Sequence, residues 1–366
     1  MKIGLVCPYN VSKGGGVQEC VFALQSELSA RGHETLILTP QPREHNGTIP
    51  GFVRPLGRSA DVKSPFHTTA QVSVSVDTSE VDALLEKEKF EVLHFHEPWV
   101  PLLSWQLLQR SRARNIATFH AKLPDTVMSR TIERVITPYT KSVLKYLHAL
   151  TAVSDPAAMY VNSLTDREVQ IIPNGIDLEK YRTRGRNQEK KMIFYIGRLE
   201  RRKGLKYLLR AVRSLQMTEP QVELVIAGNG PDKMALERYA DELGVKNVRF
   251  PGQIDEATKM KLLKAATVFC SPARYGESFG VVLLEAMAAG VPVVAGDNAG
   301  YMTVLTQTGR ISLVDPRNIK EFTRRLDLLM NDQALRQAWQ DWASRTVGQY
   351  SYKQVVDQYE TLYGKA

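Results

Sequence analysis

The sequence predicts two doubly wound α/β domains in tandem, facing each other across a cleft. Three observations carry this expectation. Apolar runs of strand length, rich in β-branched residues and often without polar alternation, recur along the chain, as in strands covered on both faces. Stretches of helical period separate them, which is the arithmetic of parallel βαβ units. The series then breaks at Ile172-Pro173-Asn174-Gly175, crosses the polar stretch Glu179–Lys191, and restarts at Met192. A chain of 366 residues has room for two domains at roughly 100–200 residues each. The expected domains are residues 1–175 and 176–349, with a last helix near 350–366 packing back on the first.

In the first half the expected strands are Ile3–Cys7, Thr35–Leu38, Val72–Val76, Val92–Phe95, Ile116–Phe119 and Val169–Ile172. Helices are expected over Val17–Ala30, Val81–Lys89, Leu102–Arg110 and Val127–Leu147. In the second half the strands are Met192–Ile196, Val222–Ala227, Val248–Phe250, Val268–Ser271 and Val293–Ala295, and from Ile319 onward the pattern is helical only. In open α/β sheets ligands bind beyond the carboxyl ends of strands, so chemistry-bearing residues are sought there.

Composition is that of a globular protein, 43% hydrophobic and 24% charged, which excludes a disordered chain. No stretch approaches the roughly 20 apolar residues of a membrane span. Ile3–Cys7 is too short for a signal-peptide core. The expectation is a chain starting at Met1 in the cytoplasm. Cys7, Cys20 and Cys270 show neither CxxC nor zinc spacing and read as buried free thiols. Net charge is +9, and the excess sits after residue 170, with 30 Lys+Arg against 22 Asp+Glu there and 18 against 17 before it. The second half should therefore be the part that attracts anions.

The motifs follow strands. Gly14-Gly15-Gly16 opens a helix, where backbone N–H groups and the helix N-terminus favour a phosphate. It is not the GxGxxG dinucleotide fingerprint, which argues against a dehydrogenase. His94-Phe95-His96-Glu97 ends a strand with its two imidazoles on one face. No further ligand cluster accompanies them, so a structural or cleft-lining pair is expected and no metal site is assigned. His120 ends another strand at the ligand-binding edge. Gly197-Arg198 follows a strand, with Lys203-Gly204 five residues on; a planar fork of donors and a point charge suit a diphosphate. The most specific stretch runs from Ser271 to Val294, with Glu277-Ser278-Phe279-Gly280 before a helix and Glu285 within it. A carboxylate accepts two hydroxyl hydrogen bonds at once, as a sugar diol offers, whereas a glutamate between Leu284 and Ala286 is an awkward core residue.

With these residues in place, the sequence resembles the retaining glycosyltransferases of family 4, which have the GT-B fold of two Rossmann-like domains. The pair Glu277…Glu285 matches their E-x7-E signature, and the resemblance extends over Gly14–Gly16, Pro173-Asn174-Gly175-Ile176-Asp177, Gly197-Arg198…Lys203-Gly204 and Gly228-Asn229-Gly230-Pro231. Gly-Gly-Val-Gln, His-x-His-Glu-Pro and Ala-Arg-Tyr-Gly-Glu-Ser-Phe-Gly are most similar to the phosphatidylinositol mannosyltransferases. Ser64–Ala70 departs from their Tyr-Asn-Gly-Ser stretch, and Asn298–Met302 replaces the Gly-Gly-x-Pro-Glu of many members.

The resemblance implies a set of roles. Arg198 and Lys203, with Gly197, hold the donor diphosphate, and Gly15 and Gly16 meet the same phosphates. Glu285 binds the ribose, and Glu277, with Ser278, Phe279 and Gly280, the transferred sugar; His120 contacts that sugar from the acceptor side. The donor is a GDP- or UDP-sugar, most simply GDP-mannose, and the acceptor a membrane-associated lipid or glycan. No metal is required, although Mg2+ is compatible, and no nucleic-acid partner is implied. The alternatives are a UDP-sugar transferase with a soluble or diacylglycerol acceptor and a non-catalytic nucleotide-sugar-binding module. The helix from Val127 carries Arg130, Arg134, Lys141 and Lys145 within about 60°, which predicts peripheral contact with the anionic inner face of the membrane.

Overall fold

The structure is a computed structural model and describes residues 1–12, 14–42, 49–63, 69–121, 127–181 and 191–364. It divides into two compact units, Met1–Gly175 with Tyr352–Ala366, and Ile176–Ser351.

In the first unit the strands are β1 (Lys2–Val6), β2 (Glu34–Pro40), β3 (Val53–Leu56), β4 (Arg58–Lys63), β5 (Thr69–Ser75), β6 (Val92–His96), β7 (Arg114–Phe119), β8 (Ala149–Ala152) and β9 (Val169–Ile171). Seven of them form a parallel sheet in the order β3-β2-β1-β6-β7-β8-β9. Its apolar runs are buried on both sides, as the absence of alternation predicts. The order reverses between β1 and β6, and the glycine run and His96 lie at the carboxyl ends of these two strands, where ligands bind in open α/β sheets.

One expected strand is corrected. The stretch at Val72–Val76 is extended, but as β5 it pairs antiparallel with β4 outside the main sheet. A bridge from Tyr9 to Val72 and the bond from Asn10 N–H to the Gln71 carbonyl (2.9 Å) tie this hairpin to the end of β1. The helix expected over Val127–Leu147 ends at Leu144. The polar stretch Glu179–Lys191 begins inside a short helix, Leu178–Tyr181, and its residues 182–190 lie outside the described residues.

The closing helix Tyr352–Gly364 lays Val355, Val356, Tyr359, Leu362 and Tyr363 into the core with Ile3, Leu5, Leu24 and Leu28. Burying each such side chain contributes about 1.5–3 kcal/mol. Arg31 fastens its outer face, 2.6 Å from both Asp357 and Glu360. Gly175 allows the chain to pass, since a Cβ there would lie 2.4 Å from the Tyr352 ring.

The second unit holds β10 (Met192–Ile196), β11 (Glu223–Ala227), β12 (Val248–Gly252), β13 (Val268–Ser271), β14 (Val293–Gly296) and β15 (Leu313–Val314). They form a parallel sheet ordered β12-β11-β10-β13-β14-β15. Here the order reverses between β10 and β13, the two strands that lead into Gly197-Arg198 and the 272–280 loop. Helices Ile319–Asn331 and Gln333–Val347 close this unit, with Trp339 fully buried.

Candidate active site

At the carboxyl edge of the second sheet β10 runs out into Gly197, whose φ of 154° suits glycine. The turn is packed backbone to backbone: a Cβ on Gly228 would lie 2.0 Å from the Gly197 carbonyl oxygen, and one on Gly230 would lie 2.2 Å from that of Leu199. Arg198 therefore projects from a fixed frame. A single helical turn, Arg201–Lys203, comes next and is ended by the left-handed Gly204 (φ 73°).

Three cations and two carboxylates meet here. Arg202 Nη1 and Lys203 Nζ reach the same oxygen of Glu277, at 2.6 and 2.8 Å. Arg202 Nε lies 2.6 Å from Glu200, and Arg198 Nε 3.4 Å from the other oxygen of Glu200. Glu277 sits in the loop after β13, held from behind by Gly300, where a Cβ would stand 2.2 Å from the Glu277 carbonyl oxygen. Asn298 caps the short helix Ala299–Val304 by accepting the Tyr301 N–H (3.1 Å) and donates to the Ala273 carbonyl (2.9 Å). The departure at Asn298–Met302 thus braces the loop. Ser278 and the buried Phe279 lead to Gly280, whose φ of 116° sets up the helix Val281–Ala288.

Glu285 is the fifth residue of that eight-residue helix. It is buried, and its Oε1 receives both the Tyr181 hydroxyl (2.8 Å) and Lys259 Nζ (2.9 Å). Lys259 also meets Glu256 at 3.0 Å. Burial acts to lower the Lys259 pKa, yet the two carboxylates raise it overall, so this lysine stays charged. Burial and the same carboxylates push the Tyr181 phenol up, which keeps it a donor.

In the first unit Gly15 precedes the helix Gly16–Ala30, and a Cβ at Gly14 or Gly16 would meet open space. His120, directly after β7, is buried. Its Nε2 lies 2.8 Å from His96 Nδ1, its backbone N–H donates to Glu97 Oε1 (2.7 Å), and Asn174 bonds its ring. Glu97 also accepts from the Trp99 indole and sits at a positive φ of 49°. Burial dominates the electrostatics: it pushes His120 down to about 4 and His94 to about 3, holds His96 well below the usual range, and raises Glu97 to about 7. All three imidazoles are therefore neutral near pH 7. His94 is spent on structure, bonded to the Tyr363 hydroxyl (2.8 Å) and to Thr118 (2.6 Å).

In the second unit Arg198, Lys203 and Glu277 are linked through Glu200 and Arg202, on loops that also carry Gly197, Ser278, Phe279 and Gly280, and Glu285 is bonded to Tyr181 and Lys259; the first unit carries Gly15, Gly16 and His120. Sequence reasoning missed Arg202 and Glu200, which the charged run beside Lys203 signalled, and Tyr181, Glu256 and Lys259, which no local pattern signals. It also missed Cys20, which joins His96 and His120. Of the basic helix, Lys141 and Lys145 are exposed, while the side chains of Arg130 and Arg134 lie outside the described residues. Residues 64–68 of the Ser64–Ala70 departure lie outside them too.

Two family models match the chain, Glycosyltransferase Family 4 over residues 14–180 and Glycosyl transferases group 1 over 178–346. The chain is similar to the phosphatidyl-myo-inositol mannosyltransferase of Mycolicibacterium smegmatis, 32% identical over 375 residues, covering 100% of this chain and 95% of that protein. The Mycobacterium leprae protein of the same name is 32% identical over 371 residues, covering 99% and 96%. Among solved structures, sucrose-phosphate synthase from Thermosynechococcus elongatus has the same fold, with a TM-score of 0.78 at 20% identity and 99% and 98% coverage. Anabaena Alr3699/HepE in complex with UDP-glucose aligns with a TM-score of 0.76 at 19% identity over 100% of both chains.

Proposed function

The chain belongs to the family 4 glycosyltransferases, and from that premise we propose that it moves mannose from GDP-mannose to a membrane-associated lipid or glycolipid acceptor of the phosphatidylinositol type, with retention of configuration. The observation that supports the reading is the meeting of Arg198, Arg202 and Lys203 with Glu200 and Glu277 at one strand switch point, with the buried Glu285 on the helix that follows the Glu277 loop. Similarity along the whole length to phosphatidyl-myo-inositol mannosyltransferases supports the choice of sugar and acceptor.

In this reading the cations hold the diphosphate and stabilise the charge that grows as it leaves. Arg202 and Lys203 pair with Glu277; a bound diphosphate competes for them and frees Glu277 for the sugar hydroxyls. Glu285, pinned through Oε1, offers Oε2 to the ribose. Gly15 and Gly16 contribute helix N-terminal N–H groups toward phosphate, and His120 contacts the transferred sugar. The departing phosphate oxygen takes the acceptor hydroxyl proton on the front face, so neither glutamate forms a covalent intermediate. The lysines at the end of the Val127–Leu144 helix, outward of the buried Val143, Leu144 and Leu147, support peripheral contact with an anionic surface.

The test is transfer from radiolabelled GDP-mannose and UDP-glucose to phosphatidylinositol vesicles and to soluble acceptors, with the product anomer read by an α-mannosidase. Retained transfer from GDP-mannose to the lipid is expected. Arg198→Ala should cut turnover by about 10²–10³ while weakening donor binding far less. Transfer only from the UDP-sugar, or only to soluble acceptors, would replace the donor or acceptor named here. Binding without turnover would make the chain a nucleotide-sugar-binding module.

A further inference from the structure

Cys20, His96 and His120 come from three separate parts of the sequence: the second turn of the Gly16–Ala30 helix, the end of β6 and the residue after β7. All three are buried, and Cys20 Sγ and one ring nitrogen of each histidine lie within 4.8 Å of one another. His96 Nε2 is sealed from solvent with no hydrogen-bond partner among the described residues. The neighbouring His94, bonded to Tyr363 and Thr118, lies outside the cluster, and capture of His120 exchanges its contact with His96 for the ion while leaving that with Asn174.

We propose that Cys20, His96 and His120 form a binding site for a divalent d-block cation of the zinc type, with one coordination position left open. The chemistry of the set fits. A thiolate and two imidazoles are the borderline-soft donors such ions select, and three protein ligands with an open fourth position is the pattern of non-structural zinc sites. Bonds of about 2.3 Å to sulfur and about 2.0–2.1 Å to nitrogen place tetrahedral donors about 3.3–3.7 Å apart. The three donor atoms already lie within 4.8 Å of one another, and the His96–His120 contact of 2.8 Å opens slightly to reach that spacing. Binding releases one proton, from the Cys20 thiol. The hydrogen that bridges the two imidazoles moves to a nitrogen that does not ligate, and both rings stay neutral.

The consequence rests on the transferase reading above. His120 is the residue placed against the transferred sugar, so an ion that captures its ring inhibits transfer reversibly. The site is then an inhibitory one, loaded when free zinc rises.

Titration of the full chain with Co2+ under a non-chelating reductant tests this. One equivalent is expected to give a thiolate-to-cobalt charge-transfer band together with the intense visible bands of a four-coordinate ion, both bleached by Zn2+. Cys20→Ala should abolish the charge-transfer band, leave transfer in chelator unchanged, and remove inhibition by Zn2+; Cys270→Ser should alter none of these. Should Cys20→Ala fail to fold, His96→Gln is the second variant and should lose the visible bands. Absence of these bands from the wild-type chain, or their survival in Cys20→Ala, would overturn the site. Cobalt binding with these bands but no inhibition by Zn2+ would support the site and count against the role given to His120, which keeps the two failures apart.

Discussion

Tyr181 and Lys259 converge on one oxygen of Glu285, at 2.8 and 2.9 Å, within a buried apolar helix. A carboxylate so placed is pinned at one oxygen and keeps the other for a ligand. Glu285→Ala should therefore weaken a bare nucleoside diphosphate and its sugar conjugate alike, because the ribose is common to both. Tyr181→Phe removes the hydroxyl that donates to Glu285 and accepts from Lys259 (2.9 Å) and should weaken both ligands by about 10-fold, the equivalent of about 1.4 kcal/mol. Glu277→Ala should spare the bare nucleotide and weaken the sugar conjugate, since the Glu277 carboxylate is tied to Arg202 and Lys203, which a diphosphate draws away. Calorimetry with both ligands separates the variants. Equal losses of bare nucleotide in Glu277→Ala and Glu285→Ala would refute this division of labour.

At the scale of the element, the short turn that carries Lys203 depends on the glycine that ends it. Gly204 adopts a φ of 73°, and a Cβ there would lie 2.1 Å from the Pro272 carbonyl oxygen. Gly204→Ala should cost at least about 1–2 kcal/mol from the left-handed backbone alone, and more from the backbone clash. A fall in Tm of about 4 °C or more is expected, with donor affinity falling as Lys203 is displaced; an unchanged Tm would show that the turn relaxes freely. The closing helix depends on charge as well as packing. Burial acts to raise the Glu360 pKa, but His33 and Arg31, at 2.7 and 2.6 Å, lower it overall. A carboxylate whose pKa is lower folded than unfolded stabilises fully above its unfolded pKa and loses that contribution as pH falls through the folded value. The stability gap between wild type and Glu360→Gln should accordingly shrink on acidification below the ordinary carboxylate range. Urea unfolding at several pH values checks it, and a gap that widened toward acid would contradict the assignment.

For the whole molecule, no helix among the described residues is long and apolar enough to cross a membrane, while the net charge is +9. The basic stripe proposed to meet the lipid acceptor predicts a salt-sensitive contact with an anionic surface. At about 1 kcal/mol per basic residue near an anionic surface, Arg130, Arg134, Lys141 and Lys145 together supply roughly 4 kcal/mol. Vesicle flotation should show binding to anionic vesicles at low salt, release as salt rises, and loss of binding when all four become Glu. Equal binding by that variant, or indifference of wild type to anionic lipid, would make the stripe a solvated face.

Apolar β-branched runs such as Ile3–Val6 and Ile193–Ile196 declared their strands from the sequence alone, because a strand covered on both faces has no use for polar residues. Glycines 197, 204 and 280 declared turns, and Glu285 marked a candidate site, because a carboxylate is costly beside buried Leu284 and Ala286 unless something uses it. Short edge strands such as Val53–Leu56 and Leu313–Val314 were not legible, being too brief to carry a periodic signal. Nor could the sequence assign β5 to the hairpin with β4, since pairing is a long-range choice that extended propensity leaves open. Tertiary structure alone joined Tyr181 to Glu285 across 104 residues and brought Cys20 to His96 and His120. Local chemistry is written in neighbouring side chains; the convergence of distant ones is decided by which strand lies beside which in the sheet, a property of the fold and of no segment within it.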